Sequence, residues 1–249
     1  MTKTNDIDKT NWKDFSDISS SLWLINRDSD KQDNKLHGCF VYQVAENLVI
    51  RYTKKEELVV DLFAGSGTTQ RVCKALKRSC IGYDLSYKES LISSCNGFTI
   101  ANIPCDTTKN DEVISNFNGK AKLVILHPPY FDIVKFSDNP DDMSNLTMET
   151  FIDRMKQVFN NAFNLLQDKG YIALVFGDIY KNGRLYPASD IADIAKQFPL
   201  ILRAIYVKNM EGNEKSGQSG KNANLWKYRS LVGGFAIFKH EYIYVWRKG

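Results

Sequence analysis

Residues 122–136 read KLVILHPPYFDIVKF. An apolar run, Leu123-Val124-Ile125-Leu126, meets His127-Pro128-Pro129-Tyr130 with no spacer between them. Neither proline has an N–H to give a sheet ladder, so a strand has to end there. Just past its tip stand an imidazole, a conformationally fixed proline carbonyl and an aromatic face. Placed together, such groups could hold a planar ligand beyond the strand tip and accept its hydrogens. Taken alone, Pro-Pro-Tyr is better read as a strand terminator. His127 either accepts a hydrogen bond there or stands by while Pro128 acts.

A second stretch, VVDLFAGSGTT at 59–69, places Gly65 and Gly67 between an apolar strand and a helix start. Glycines there let a ligand approach the main chain and leave backbone N–H groups and a helix N-terminus facing it. The spacing lacks the Gly-Lys-Ser/Thr ending of a phosphate loop, and the dinucleotide fingerprint is incomplete. Asp84 closes the next strand, CIGYD, where folds of this kind place the carboxylate that binds ribose hydroxyls.

Together, DLFAGSGTT and HPPY resemble the two signature motifs of the DNA amino-methyltransferases, which methylate adenine N6 or cytosine N4 with S-adenosylmethionine. The resemblance spans roughly residues 37–247, and the block HGCFVYQVAENLVIRYTKKEELVVDLFAGSGTT carries most of it. It implies that Asp61, Phe63, Ala64, Gly65 and Gly67 hold the methionine portion, Asp84 the ribose and Asp106 the adenine amine. Phe40, Thr68 and Thr69 complete the implied cofactor set. His127, Pro128, Pro129 and Tyr130 become the catalytic tetrapeptide, with Tyr130 stacking on a base swung out of a duplex. Two departures stand out: His37–Tyr42 lacks the proline common in that block, and the family usually has Asp, Asn or Ser where this chain has His127.

The elements that must position these groups alternate. An apolar face at 41, 44, 45, 48 and 49 predicts a helix over 40–52. Strands follow at 58–63, 80–84, 98–101, 122–126 and 171–176, with helices near 68–77, 86–95, 110–117, 148–166 and 189–197. Strands 200–208 and 241–247 come last with no helix between them. The pattern predicts a Rossmann-like, doubly wound, mostly parallel α/β sheet with an antiparallel edge pair, as in class I methyltransferases. Residues 1–36 read as a mobile arm with one or two apolar anchors, and 37–249 as a single domain. Loops near 131–147 and 208–232 are expected to touch the target. Lys135 and Ser137 lie in the first; Lys208, Lys215, Lys221, Trp226, Lys227, Tyr228 and Arg229 lie in the second, with basic residues for phosphates and aromatic ones for bases.

Composition sets the outer limits. The 249 residues are 43% hydrophobic and 25% charged, enough for a substantial core, and a net charge of +4 neither demands nor excludes nucleic acid. Five cysteines without a C-x-x-C pair read as reduced core residues, and three dispersed histidines argue against a metal site. No signal peptide or membrane-length apolar run is seen, so a cytoplasmic protein is expected. The expected partner is duplex DNA, with a cognate restriction endonuclease as a further possibility. Two other readings stay open: methylation of RNA or of a protein glutamine amide, and a catalytically silent nucleic-acid-binding subunit.

Overall fold

A computed structural model describes residues 3–25, 41–95, 97–131, 133–210 and 223–249. The elements are β1 (Leu22–Trp23), α1 (Tyr42–Tyr52), β2 (Leu58–Asp61), α2 (Thr68–Leu76), β3 (Ser79–Asp84), β4 (Leu91–Cys95), β5 (Phe98–Pro104), α3 (Glu112–Ser115), β6 (Ala121–Leu126), α4 (Met148–Leu165), β7 (Leu166–Phe176), β8 (Ile179–Lys181), β9 (Arg184–Tyr186), α5 (Ala188–Ala192), β10 (Leu200–Asn209), α6 (Ala223–Gly233) and β11 (His240–Lys248). Among the described residues, nine strands form one sheet in the order β1-β10-β11-β7-β6-β2-β3-β5-β4, and β8 and β9 make a separate hairpin. Strands β7, β6, β2, β3 and β5 run parallel. The predicted antiparallel pair is present as β10 and β11, and β11 also runs antiparallel to β7.

Each face of the sheet is covered by helices, because strands buried on both sides are apolar almost throughout. On one face α4 packs Phe151, Met155, Val158 and Phe159 against Val124, Leu126, Ile172 and Leu174. On the other, α1 and α2 pack Val44, Leu48, Val49, Val72 and Cys73 against Val59, Cys80, Leu123 and Ile125. The chain runs from β2 outward to β3 and β5, then returns to place β6 on the other side of β2. The order of strands therefore reverses between β2 and β6, the position where open α/β sheets bind ligands beyond their strand tips.

The structure differs from the sequence reading in several places. Residues 91–95, expected to be helical, form β4, paired antiparallel with β5. Ser93, Ser94 and Ile92 are poor helix residues, and Asn96-Gly97 is a hairpin signal, with Gly97 at φ +87°. The helix expected over 189–197 is one turn of α5 followed by a 3₁₀ segment, Asp193–Gln197. A helix, α6, stands between β10 and β11, where the sequence reading places none. The described part of the arm, residues 3–25, packs on the rest of the chain. Its β1 pairs with β10, and Trp23, 3% exposed, stacks on Tyr206 at 4.4 Å. Asp6 pairs with the buried Arg78 at 2.9 Å, and the Arg51 guanidinium donates to the Ile18 carbonyl at 2.7 Å. The apolar anchors of the arm are visible in its sequence; the buried arginine that makes docking worthwhile is not.

Candidate active site

The β2 and β6 ladder is in register from Val59 opposite Leu123 to Asp61 opposite Ile125, and the Leu62 N–H donates to the Ile125 carbonyl at 3.2 Å. Both chains therefore leave the sheet side by side. One becomes the glycine loop and the other His127-Pro128-Pro129-Tyr130, and the two line a single cavity of about 530 Å³. That volume falls in the range of small-molecule sites.

At the glycine-loop end, Asp84 ties the loop down: its Oδ2 accepts from Gly65 N–H at 2.7 Å, and its Oδ1 accepts from the Ser86 N–H and hydroxyl at 2.9 and 2.5 Å. Gly65 adopts φ +49°, and a Cβ built on it meets nothing within 4 Å, so the backbone here lies bare to the cavity. Of the expected cofactor residues, Phe63, Ala64, Gly65, Thr68, Asp84 and Asp106 line the cavity. Asp61, Gly67 and Thr69 stand behind it. Asp61 is buried and accepts from the Phe63 N–H at 3.0 Å and the Thr69 hydroxyl at 2.5 Å, bracing the loop from below. Burial pushes the Asp61 carboxyl up to about 6, against the pull of the Thr69 and Phe63 donors. Phe40 lies outside the described residues.

Asp106 enters from the loop after β5. Burial works against its charge, but the hydrogen bonds from Thr108 and the charge of the nearby Lys109 ammonium outweigh that and hold its carboxyl below the usual range. Its Oδ2 is buried with the Lys109 ammonium 3.0 Å away, outside good hydrogen-bond geometry. An acceptor oxygen in that state has capacity left for an amine donor.

The other end of the cavity holds the tetrapeptide. Tyr130 is tightly bound in: its hydroxyl donates to Glu241 Oε1 at 2.9 Å and accepts from Gly177 N–H at 3.0 Å, while its ring packs on Phe176 at 4.8 Å. Glu241 Oε2 in turn accepts from the Lys208 ammonium at 2.5 Å, both side chains being 10% exposed. Lys208 sits directly opposite Glu241 in the β10–β11 ladder, so this antiparallel pair delivers both charges to one point beside the cavity. Burial alone would raise the Glu241 carboxyl; Lys208, His127 and the Tyr130 hydroxyl together bring it down to about 2. Burial holds the His127 imidazole below its ordinary value, with Glu241 raising it and Lys208 lowering it.

Glu241 does not stand out in the sequence as part of this site, and Lys208, expected among the phosphate-contacting residues of the second loop, is instead buried against Glu241. A glutamate opening a strand as apolar as EYIYVWR is the available signal, since a buried carboxylate requires a partner.

The expected target-contacting residues are less convergent. Lys135 is exposed and paired with Asp138 at 2.6 Å, and the Ser137 hydroxyl donates to Asp142 at 2.7 Å. Around them Ile133, Val134 and Phe136 are exposed, and Phe136 and Ser137 reach the cavity rim. Trp226, Lys227 and Arg229 lie on α6, where the Arg229 guanidinium sits 5.5 Å from the Trp226 ring centre. Lys215 and Lys221 lie outside the described residues. Cys73, Cys80 and Cys105 are free and buried. Among the described residues no cluster of metal-ligating side chains occurs, and no helix is long and apolar enough to cross a membrane.

A family model described as DNA methylase matches residues 1–93, the stretch that carries the glycine loop and Asp84. The resemblance read from the sequence is thus borne out there. A curated relative, the release factor glutamine methyltransferase of Mycoplasma mycoides, is 29% identical over 120 residues, which are 46% of this chain and 40% of that one. This chain thus matches well under half of that relative's length. A solved S-adenosylmethionine-dependent methyltransferase of Methanosarcina mazei superposes over 84% of this chain and 99% of its own, with a TM-score of 0.50 at 9% identity.

The fold is that of the S-adenosylmethionine-dependent methyltransferases. The group this fold implies also suits the residues present. Asp84 lines the cavity at the end of β3 with a carboxylate able to accept from hydroxyls, the bare backbone at Gly65 admits close approach, and the Asp106 oxygen can take an amine hydrogen. The Phe63 ring on the cavity wall suits a sulfonium cation.

Proposed function

We propose that the protein transfers a methyl group from S-adenosylmethionine to the exocyclic amine of a base in DNA, with adenine N6 favoured over cytosine N4. The observation that carries this reading is the shared cavity, into which the glycine loop and His127-Pro128-Pro129-Tyr130 open from neighbouring strand tips.

Bound at the glycine-loop end, S-adenosylmethionine supplies an electrophilic methyl group. The protein's part is to hold and orient the acceptor nitrogen. Pro128 offers its carbonyl oxygen to one N–H of the amine and His127 a neutral ring nitrogen to the other. A protonated imidazole has no acceptor and adds positive charge beside a nitrogen becoming cationic. The depressed His127 pKa therefore favours the working form. Tyr130 presents its ring to the base. The loop after it, with Lys135 beside exposed Ile133, Val134 and Phe136 at the cavity rim, has the mix of cation and apolar surface that suits a strand with one base displaced. Trp226, Lys227 and Arg229 on α6, with Lys215 and Lys221 before it, extend the proposed DNA contacts.

A second reading has support from the Mycoplasma mycoides relative: an amide nitrogen of a protein glutamine poses the same chemical problem as a base amine. Tritium from methyl-labelled S-adenosylmethionine, offered with DNA, RNA and protein fractions, decides between them. Label in duplex DNA, located in N6-methyladenine by hydrolysis, is the expected result. Label confined to protein would replace the DNA reading with the amide one, and transfer to none of the three would leave a silent binding subunit.

A further inference from the structure

The charges at the acceptor end need an explanation that the methyl transfer itself does not give. Both oxygens of Glu241 are engaged within the protein, one by the Tyr130 hydroxyl and the other by the Lys208 ammonium. A buried ion pair is a poor source of stability, since apolar residues of similar volume usually serve as well or better. Phenylalanine at 130 would fill the same space without needing a hydroxyl partner. Yet the fold brings the Gly177 N–H after β7 and Glu241 of β11 to one hydroxyl beyond the β6 tip, with Lys208 of β10 paired behind Glu241.

We propose that the Lys208–Glu241 pair is a positioning element for methyl transfer, clamping the Tyr130 hydroxyl so that its ring is held at a fixed angle over the acceptor base. This rests on the function proposed above. Three observations support it. The hydroxyl has both a donor and an acceptor partner, so rotation of the ring about its own axis is harmless but tilting it breaks a bond to a buried group. The ring is packed on Phe176, which removes the other route of escape. At Gly177 a Cβ would lie 3.0 Å from the Tyr130 oxygen and 3.4 Å from Glu241 Cγ, so the backbone itself is fitted to the hydroxyl. His127, the other member of the acceptor end, faces the same two charges, Glu241 and Lys208, whose effects on it oppose each other. The carboxylate can hold Tyr130 without recruiting a proton to His127, because the ammonium is paired with it.

The test is single-turnover methylation of duplex DNA by the full chain with four variants: Tyr130→Phe, Lys208→Met/Glu241→Met, the triple combination, and Gly177→Ala. Replacing both charges together avoids leaving one buried and unpaired. Tyr130→Phe and the paired variant are each expected to slow the chemical step about tenfold, with S-adenosylmethionine affinity and DNA KM unchanged. The triple variant should be no slower than either, since all three changes remove one device. Gly177→Ala, which alters no charge, should slow the step several-fold by crowding the hydroxyl. Should the paired variant melt out, Tyr130→Phe and Gly177→Ala still decide the matter. Parental rates in those two, or losses that multiply to about a hundredfold in the triple variant, would overturn the clamp. A parent chain that labels no DNA would instead overturn the functional reading on which the clamp rests.

Discussion

At the glycine-loop end of the cavity, Asp61 is bonded to Thr69 and Gly65 to Asp84, across eight and nineteen residues of chain. At the acceptor end, Tyr130 reaches Glu241 across 111 residues, and Lys208 reaches Glu241 across 33. One end is thus mainly a local β–α–β device built from β2, α2 and β3, with Asp106 added from the loop after β5. The other exists only when the whole sheet is assembled. The difference teaches that binding the methyl donor and orienting the methyl acceptor are separable in this molecule, and single substitutions should separate them.

The largest effect is expected at the assembled end. Glu241→Ala leaves the Lys208 ammonium buried without its counter-charge, and we expect a loss of about 3–5 kcal/mol in urea unfolding. If Glu241→Ala unfolds at the parental midpoint, the two strands do not depend on this pair and the contrast between the ends collapses. Next comes the local end. Asp84→Ala removes the proposed ribose acceptor and releases Gly65 N–H, so S-adenosylmethionine binding should weaken by about 1.5–3 kcal/mol for each charge-assisted bond removed. Calorimetry should show no such weakening for Tyr130→Ala, and equal losses in both variants would erase the division.

The two ends also respond to pH with opposite sign. Asp61 sits at about 6, above the ordinary 3.8 of an exposed aspartate. Between those values the folded form binds more protons than the unfolded, so its contribution to stability is full below about pH 4 and lost as pH rises through about 6. Glu241 sits at about 2, below its ordinary 4.5. Its contribution is present above about 4.5 and lost as pH falls towards 2. Asp61→Asn should therefore flatten the dependence of stability on pH between 4 and 6, a change on the order of 1–2 kcal/mol. Chemical denaturation at the two pH values would show it, and an unchanged slope would place the ionised form of Asp61 in the folded protein.

Legibility in the sequence follows the same division. DLFAGSGTT and the acid closing β3 carry their geometry in their own spacing, so the loop, Gly65 and Asp84 can be read from the residues alone. HPPY announces its strand tip because two prolines end a ladder wherever they stand. The partner of Tyr130 is invisible for a different reason: Lys208 and Glu241 meet only through the β10–β11 register, and a lysine closing one strand has nothing in its neighbours to mark it. Residues 91–95 mislead because alternation of strands and helices elsewhere in the chain suggests a helix, while serines and a following Asn-Gly favour a hairpin. The arm's pairing with Arg78 is not legible either, because no local pattern foretells that arginine's burial.

A smaller effect is expected outside the cavity. Neutralising Lys227 and Arg229 should lower the slope of log affinity for DNA against log salt by up to about 0.9 for each phosphate no longer neutralised, without altering S-adenosylmethionine binding. An identical slope would remove α6 from the DNA surface.

The central claim, that the tip of β6 orients an amine through neutral acceptors, is tested most directly by single-turnover DNA methylation as a function of pH in the parent, His127→Asn and His127→Ala. Burial keeps the imidazole below its ordinary pKa, so the parent should lose activity only at pH values under about 6.5. His127→Asn, which keeps an acceptor and cannot titrate, should remain active with that acid limb gone, and His127→Ala should be slow at every pH. A His127→Ala variant with the parent's rate and the parent's pH profile would contradict the account, leaving Pro128 and Tyr130 as the working groups of the strand tip.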